Sequence, residues 1–279
     1  MKTSATVAGV LVASLVIAAP NPAFSQHSFL KSGEVDDKDV AVAYYNKIDP
    51  DNLRTNLDAW LEVNGYHDPA NEIIEVRGHF IDGDLAFWRS ISLVEDKRPG
   101  YEGNIAFTTA NYSTETDAVN GTNPVSIVNM EYSPGPGGDR ITKFYMFDKD
   151  DGRRVTGATF DRSGEPLHLP AACYACHGGD EGPGETNGTF LAFDLNTMNF
   201  GDTTQASLES GFKKLNEAVL RTDPTKATRK LIRGLYGGAG LPRSTQDLTY
   251  IPTGWMSEPE PDQHLISRDA LDRFKIPWW

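Results

Sequence analysis

The chain contains only two cysteines, and a histidine follows directly after the second of them. Cys173, Cys176 and His177 form the C-x-x-C-H pattern that is typical of c-type haem attachment. Thiols at this spacing on a helical turn can each form a thioether with one of the two vinyl groups of a porphyrin. The histidine then lies below the iron and supplies a nitrogen ligand. The motif therefore predicts one covalently attached haem c per chain, with its iron ligated by His177.

Three other roles for the motif have less support. A thioredoxin-type redox pair is expected within a βαβ unit, and the sequence around Cys173 lacks that pattern. A structural zinc site needs four ligands, but the chain has neither a second C-x-x-C nor a pair of closely spaced histidines. A disulfide between Cys173 and Cys176 would leave His177 without a role. Haem c is the interpretation that uses all three residues.

The sixth iron ligand is left open by the sequence. A low-spin electron carrier has Met or His opposite its histidine ligand. Met198 is our leading candidate because it lies among polar residues, where packing requires no methionine, and Met256 in a proline-rich loop is the second. Met130 and Met146 lie in apolar segments with strand character, which favours core packing. A histidine ligand and an open or water-bound iron remain as alternatives.

The chain is strongly acidic. Its 279 residues include 26 Lys and Arg against 39 Asp and Glu, which gives a formal net charge of −13. This charge repels phosphate backbones and anionic headgroups, so we expect no nucleic-acid partner and no basic membrane-binding surface. It would steer the protein toward a redox partner protein with a basic surface.

The first 25 residues have the order of a secretory signal peptide. Lys2 is their only charged side chain, an apolar run covers residues 7–19, and Ala23-Phe24-Ser25 provides a cleavage site. We therefore predict that residues 1–25 are removed on export. The mature chain is predicted to have no membrane span and to be periplasmic or secreted.

Residues 26–165 are predicted to form an α+β domain. Two helical patterns come first, and the second is expected to begin at Asp49-Pro50. Segments with a two-residue period then follow near residues 73–76, 85–88, 104–108, 125–132, 141–147 and 154–160. This order predicts N-terminal helices packed on an antiparallel sheet.

Residues 166–279 are predicted to form a c-type haem-binding domain. The pattern there changes to loops rich in Gly and Pro and to two helices, one near residues 205–221 and one that follows Asp223. We expect a mainly helical, loop-rich, cytochrome-c-like region. Arg229, Lys230 and Arg233 on the second helix are candidates for binding the haem propionates.

The chain resembles a family of secreted bacterial cytochrome-c-type proteins. The resemblance covers most of the mature chain, and only the C-x-x-C-H motif within it has a specific chemical meaning. It is carried by the segments Tyr45–Asn52, Asn129–Pro136, Lys143–Asp148, Ala172–Gly179, Phe190–Leu195, Lys214–Val219 and Ile251–Trp255. The resemblance implies a covalent haem and electron transfer, with no established substrate.

Two functional classes are compatible with these features. A periplasmic monohaem c-type cytochrome, which transfers electrons through iron ligated by His177, fits one haem motif and an acidic surface. The alternative is a haem enzyme or gas sensor with an open distal site, such as a peroxidase. The long segment before the motif is the reason to retain this alternative. We name no catalytic residue and prefer an electron-transfer protein to an enzyme.

Overall fold

The computed structural model describes residues 38–82, 87–158, 166–178, 188–200 and 205–252. The predicted signal peptide at residues 1–25 and the candidate ligand Met256 lie outside these ranges. The helices are α1 (Lys38–Ile48), α2 (Leu57–Val63), α3 (Glu115–Asn120), α4 (Ala171–His177), α5 (Gln205–Val219) and α6 (Lys226–Leu235). None of the helices in these ranges is long and apolar enough to cross a membrane.

The strands form one large antiparallel sheet and one small one. They are β1 (Ile73–Asp82), β2 (Trp88–Glu95), β3 (Ile105–Tyr112), β4 (Ser126–Pro134), β5 (Arg140–Phe147), β6 (Arg154–Val155), β7 (Gly157–Ala158), β8 (Leu167–His168) and β9 (Met198–Phe200). The seven-stranded sheet has the order β6-β5-β4-β3-β2-β1-β9, and β7 pairs with β8. The antiparallel sheet predicted from the two-residue periodicity is therefore present.

The prediction of a mainly helical, cytochrome-c-like region after residue 165 is wrong. In the described part of that region, β9 pairs with β1 and places Met198 opposite Asp82. Helices α5 and α6 share a hydrophobic cluster with strands β1, β2 and β3. The reason is that an amphipathic helix must cover its apolar face with some surface, and here the sheet provides it.

The two faces of the sheet carry different rows of side chains, because successive residues of a strand point to opposite sides. The register defines face A by the row Leu93, Phe107, Met130 and Phe144. It defines face B by the adjacent row Val94, Ala106, Glu131 and Lys143. Helix α5 packs closely on face A, where a Cβ added to Gly211 would lie 2.6 Å from Val76 Cγ2.

Two hydrophobic clusters fill the interior, and each combines residues from both sides of residue 165. The first joins α1, α2 and β5 to Leu167, Leu169 and α4. The second joins face A to the segment 190–198 and to helices α5 and α6. Met130 packs against both clusters. In the described residues, side chains from before and after the predicted boundary at 165/166 therefore pack together in both clusters.

Two tyrosines of α1 cover the outer edge of β5. The backbone N–H groups of Phe144 and Met146 donate to Tyr44 Oη at 2.9 Å and Tyr45 Oη at 3.1 Å. Tyr45 Oη in turn donates to the carbonyl of Val155 at 2.7 Å. The two hydroxyls therefore accept hydrogen bonds from buried backbone N–H groups of β5 that are not bonded to a neighbouring strand. Helix α1 thereby fixes the part of β5 that contacts α4.

Helix α2 begins later than predicted. Asn56 is its N-cap and accepts a hydrogen bond from the Ala59 N–H at 2.8 Å. Asp49, the predicted cap, instead accepts bonds from the N–H groups of Leu53 and Arg54 and forms an ion pair with Arg154 at 2.6 Å. The Asp49 carboxylate therefore stabilises a turn and a long-range ion pair and does not cap a helix. The local sequence does not indicate these contacts.

A buried ionic cluster lies on face B below α2. Glu131 Oε2 accepts hydrogen bonds from Arg54 Nε and Asn64 Nδ2, both at 2.9 Å, and Oε1 accepts from Ser133 Oγ at 2.7 Å and Lys143 Nζ at 3.3 Å. Burial alone would raise the pKa of Glu131, but the two cations and the hydrogen bonds hold this pKa below its usual value. Glu131 is therefore ionised at neutral pH.

Candidate haem-attachment site

The C-x-x-C-H motif lies on the short helix α4, which follows Pro170. The carbonyl of Pro170 accepts hydrogen bonds from the N–H groups of Cys173 and Tyr174 at 3.0 and 2.9 Å. The first four residues of the helix are buried, and the last three are half-buried. The helix therefore holds one cysteine in the core and brings the other cysteine and the histidine toward the surface.

The two cysteines are thiols in different environments. Cys173 is 6% exposed and packs in the first hydrophobic cluster. Burial raises the pKa of the Cys173 thiol well above its usual value, and the nearby Cys176 raises it further. Cys176 is half-buried, one helical turn away. Both thiols lie on the same short helix, as attachment to one porphyrin requires.

The ring of His177 is oriented by a backbone carbonyl. His177 Nδ1 lies 2.8 Å from the carbonyl oxygen of Thr189, and the Thr189 N–H donates to the His177 carbonyl at 2.9 Å. An Nδ1–H group that donates to this carbonyl leaves the Nε2 lone pair as the metal-binding atom. Metal-ligating histidines in proteins have this second hydrogen bond, which fixes the tautomer and raises the basicity of the ligand.

Aromatic side chains support the histidine from face A. The ring of Phe144 lies 5.3 Å from that of His177 and 5.7 Å from that of Tyr174, measured between centroids. Gly188 permits this close packing, since a Cβ there would lie 2.6 Å from Phe144 Cε2. At Gly178 the backbone has φ +65°, which favours glycine, and a Cβ would meet no atom within 4 Å.

The donor chemistry of α4 fits haem c. Cys173 and Cys176 supply two thiols at the attachment spacing, and His177 supplies an imidazole whose tautomer suits iron ligation. In the described residues, no group of three or more His, Cys, Asp or Glu side chains is placed to hold a metal ion.

The structure does not bring Met198 to His177. Met198 is in β9 at one edge of the sheet, whereas His177 packs on Phe144 of β5, five strand positions away. At about 4.8 Å per strand, this separation is roughly 24 Å. Met198 is buried in the second hydrophobic cluster. Met198 has polar sequence neighbours because it lies in a short edge strand. Its own side chain nevertheless points into the core.

Met130 lies next to Phe144, the aromatic residue that packs on His177. It lies directly opposite Phe144 in the pairing of β4 and β5. The other core methionine, Met146, is fully buried in the first cluster. The predicted core positions of Met130 and Met146 thus agree with the structure. Met130 is only half-buried and packs against both clusters.

Sequence reasoning missed the two residues that orient His177. Thr189 acts through its backbone carbonyl, so its side-chain type carries no signal. Phe144 had a usable signal, because the two-residue period of β5 places it on the same face as Met130. The contact of Phe144 with α4 required the three-dimensional structure.

Comparisons with protein-family models, with curated proteins and with solved structures found no match for this chain. The geometry of α4 and the motif it carries are therefore the basis for a functional proposal. The resemblance to secreted cytochrome-c-type proteins remains an expectation.

Proposed function

We propose that this protein is an exported monohaem c-type cytochrome that transfers electrons. Cys173 and Cys176 would bind one haem c through thioether bonds, and His177 Nε2 would ligate its iron. The hydrogen bond of 2.8 Å between His177 Nδ1 and the Thr189 carbonyl carries this proposal. The C-x-x-C-H motif supplies only the spacing, whereas this bond prepares the imidazole for a metal.

The residues around α4 have distinct tasks in this function. When bound, a haem c supplies one-electron chemistry at its iron. Thr189 holds the orientation of His177, and Phe144, which packs against Tyr174, covers one side of the His177 ring. Hydrogen bonding to the ligand and exclusion of water are among the means by which a protein sets a reduction potential.

The charge of the chain supports an exported carrier with a charged redox partner. The N-terminal signal pattern supports a periplasmic or secreted location, and the net charge of −13 favours association with a basic protein surface. Electrostatic steering of this kind raises association rates and is weakened by salt. These two features connect the haem site to a role in electron transfer outside the cytoplasm.

A haem enzyme or gas sensor with an open sixth position is the second candidate. It is favoured by the placement of Met198 in β9, since the leading candidate for a sixth ligand lies across the sheet from His177. An iron without a sixth protein ligand can bind peroxide or a diatomic gas. The spin state of the resting protein distinguishes the two candidates.

Optical spectroscopy of the purified full chain, coexpressed with a haem c maturation system, tests the proposal. The wild type is expected to show c-type bands that change on reduction and to retain stainable haem after denaturing electrophoresis. The Cys173→Ala, Cys176→Ala double variant should lose the stainable haem. A low-spin spectrum supports the carrier, and a high-spin resting spectrum supports the enzyme or sensor. Equal staining of wild type and double variant would contradict covalent attachment.

A further inference from the structure

The basic residues of this acidic chain are concentrated in one segment. Between Asp223 and Asp247 the sequence contains no Asp or Glu. The same segment contains five cations, which are Lys226, Arg229, Lys230, Arg233 and Arg243. In a chain with 39 acidic and 26 basic residues, an uninterrupted basic segment of this length is a marked local reversal of charge.

Four of these cations form a stripe on helix α6. Lys226, Arg229, Lys230 and Arg233 follow each other at intervals of three, one and three residues, which places them on one side of a helix. We call these four residues the basic stripe. The opposite side of α6 is buried through Thr228, Ile232 and Leu235. The stripe is about 10 Å long, because seven intervals of about 1.5 Å separate Lys226 from Arg233 along the helix axis.

The basic stripe lines a shallow groove that also has an aromatic component. The groove has a volume of about 380 Å³ and includes Gly234, Gly238 and Tyr250. The ring of Tyr250 occupies the space that a side chain at Gly234 would need. Glycine at this position therefore allows the ring to pack directly against α6. Arg and Tyr are enriched at the centres of protein interfaces.

Most of the basic stripe lacks a carboxylate partner within the described part of the chain. Arg229 lies 3.3 Å from Asp223 in an exposed ion pair. For Lys226, Lys230 and Arg233, no described Asp or Glu lies within ion-pair distance. Within the described residues, the charge of the stripe is therefore largely uncompensated.

We propose that the basic stripe is a docking surface for a partner protein with an acidic patch. This inference extends the proposed function, because an electron carrier must meet both a donor and an acceptor. The acidic remainder of the surface suits a basic partner, and the stripe suits an acidic one. Helix α6 shares a cluster with Phe107, which lies on face A together with Phe144 and thus on the side of His177.

The size and charge of the stripe favour a protein over a membrane. A patch about 10 Å long matches a few carboxylates on a partner surface, whereas an anionic bilayer would also meet the acidic remainder of the chain. Exposed ion pairs contribute little each and are screened by salt, so we expect a weak and transient complex. Short-lived contacts of this kind are typical of redox partners.

Binding of poly-L-glutamate to the purified full chain at low ionic strength tests this proposal. A triple variant, Lys226→Glu with Lys230→Glu and Arg233→Glu, removes the uncompensated charges. The control variant, Lys97→Glu with Lys149→Glu and Arg153→Glu, changes three exposed cations elsewhere and has the same net charge. We expect wild type and control to bind with similar affinity, and the stripe variant to bind about tenfold more weakly.

Several outcomes would overturn the proposal. Equal loss of binding in both variants would show that net charge, and not the stripe, determines binding. Tighter stripe-dependent binding of phosphatidylserine vesicles or of inorganic phosphate would assign the stripe to a membrane or to a small anion. A loss of haem in the stripe variant alone would assign these cations to the propionates. Because binding can be measured on the haem-free chain, this test is independent of the haem proposal.

Discussion

The two thiols of α4 differ in reactivity, because one is buried in the core and the other is half-buried. Burial raises the pKa of the Cys173 thiol, so that it stays protonated at neutral and mildly alkaline pH. The thiolate is the reactive form. In the haem-free chain at pH 8, we expect iodoacetamide to modify Cys176 first, as measured by peptide mass spectrometry. Modification of Cys173 at the same or a higher rate would contradict the packing of α4.

Replacement of Met198 is expected to leave the iron spectrum unchanged. In the haem-loaded protein, Met198→Ala should preserve the spin state, the reduction potential and any weak near-infrared sulfur-to-iron band, because β9 lies at the far edge of the sheet from β5. Met130→Ala is the matched comparison, since Met130 lies beside Phe144. Loss of the near-infrared band in Met198→Ala alone would restore Met198 as the sixth ligand.

At the residue scale, the sequence identified the three candidate attachment residues but not the groups that hold His177 in place. Cys173, Cys176 and His177 are adjacent in the chain, so their spacing alone identifies them. Thr189 is twelve residues beyond His177, and its contribution is a backbone carbonyl. Met198 is the leading candidate by sequence because its polar neighbours give no packing reason for a methionine. The pairing of β9 with β1 instead buries it.

At the scale of the elements, the contact between α1 and β5 can be tested by removing one hydroxyl. Tyr44→Phe leaves the buried N–H of Phe144 without an acceptor and is expected to lower the free energy of unfolding by about 1–3 kcal/mol. Urea denaturation measures this change. Tyr145→Phe is the matched control, because Tyr145 Oη is buried without a hydrogen-bond partner in the described residues. Equal destabilisation by the two changes would contradict the edge-covering role.

The sequence predicted the elements better than their assembly. The apolar spacing of α1 and the two-residue periods of β3, β4 and β5 agree closely with the structure. The start of α2 was wrong because two residues, Asp49 and Asn56, can both cap a helix and only long-range contacts decide between them. The strand β9 has only three residues, too few for a periodic signal.

For the molecule as a whole, the buried carboxylate of Glu131 makes stability depend on pH. Its pKa is lowered in the folded protein, so its stabilising contribution is present above the pKa of the unfolded chain and is lost as pH falls through the folded value. We expect Glu131→Gln to leave Lys143 without its carboxylate partner and Arg54 with Asp49 alone, and to cost about 3–5 kcal/mol at neutral pH. Thermal and urea unfolding from pH 7 to pH 3 measure both effects.

The control for this pH dependence is Asp139→Asn, an exposed carboxylate in the turn that connects β4 and β5. It should change the free energy of unfolding by less than about 0.5 kcal/mol. The difference in stability between wild type and Glu131→Gln should shrink as the pH is lowered, because Glu131 then becomes protonated in the wild type as well. A difference that stays constant from pH 7 to pH 3 would show that the pKa of Glu131 is the same in the folded and the unfolded chain, which would contradict its lowered pKa.

The arrangement of the whole molecule was the least predictable from sequence. Net charge, the signal pattern and the attachment motif are local or compositional features, and they do not indicate how the helices after residue 165 meet the sheet. In the structure, α4, α5 and α6 pack onto one sheet, and Met130 contacts both clusters. Apolar helix faces specify that burial occurs but not which surface provides it.

Intact-mass spectrometry of the exported wild-type protein under denaturing conditions tests the central claim most directly. We expect the mass of the chain from about Gln26 onward plus that of one haem, because thioether bonds at Cys173 and Cys176 survive denaturation. The measurement requires no knowledge of the redox partner or of the sixth ligand. A protein that carries haem before denaturation and shows only the mass of the bare chain afterwards would contradict covalent attachment to α4.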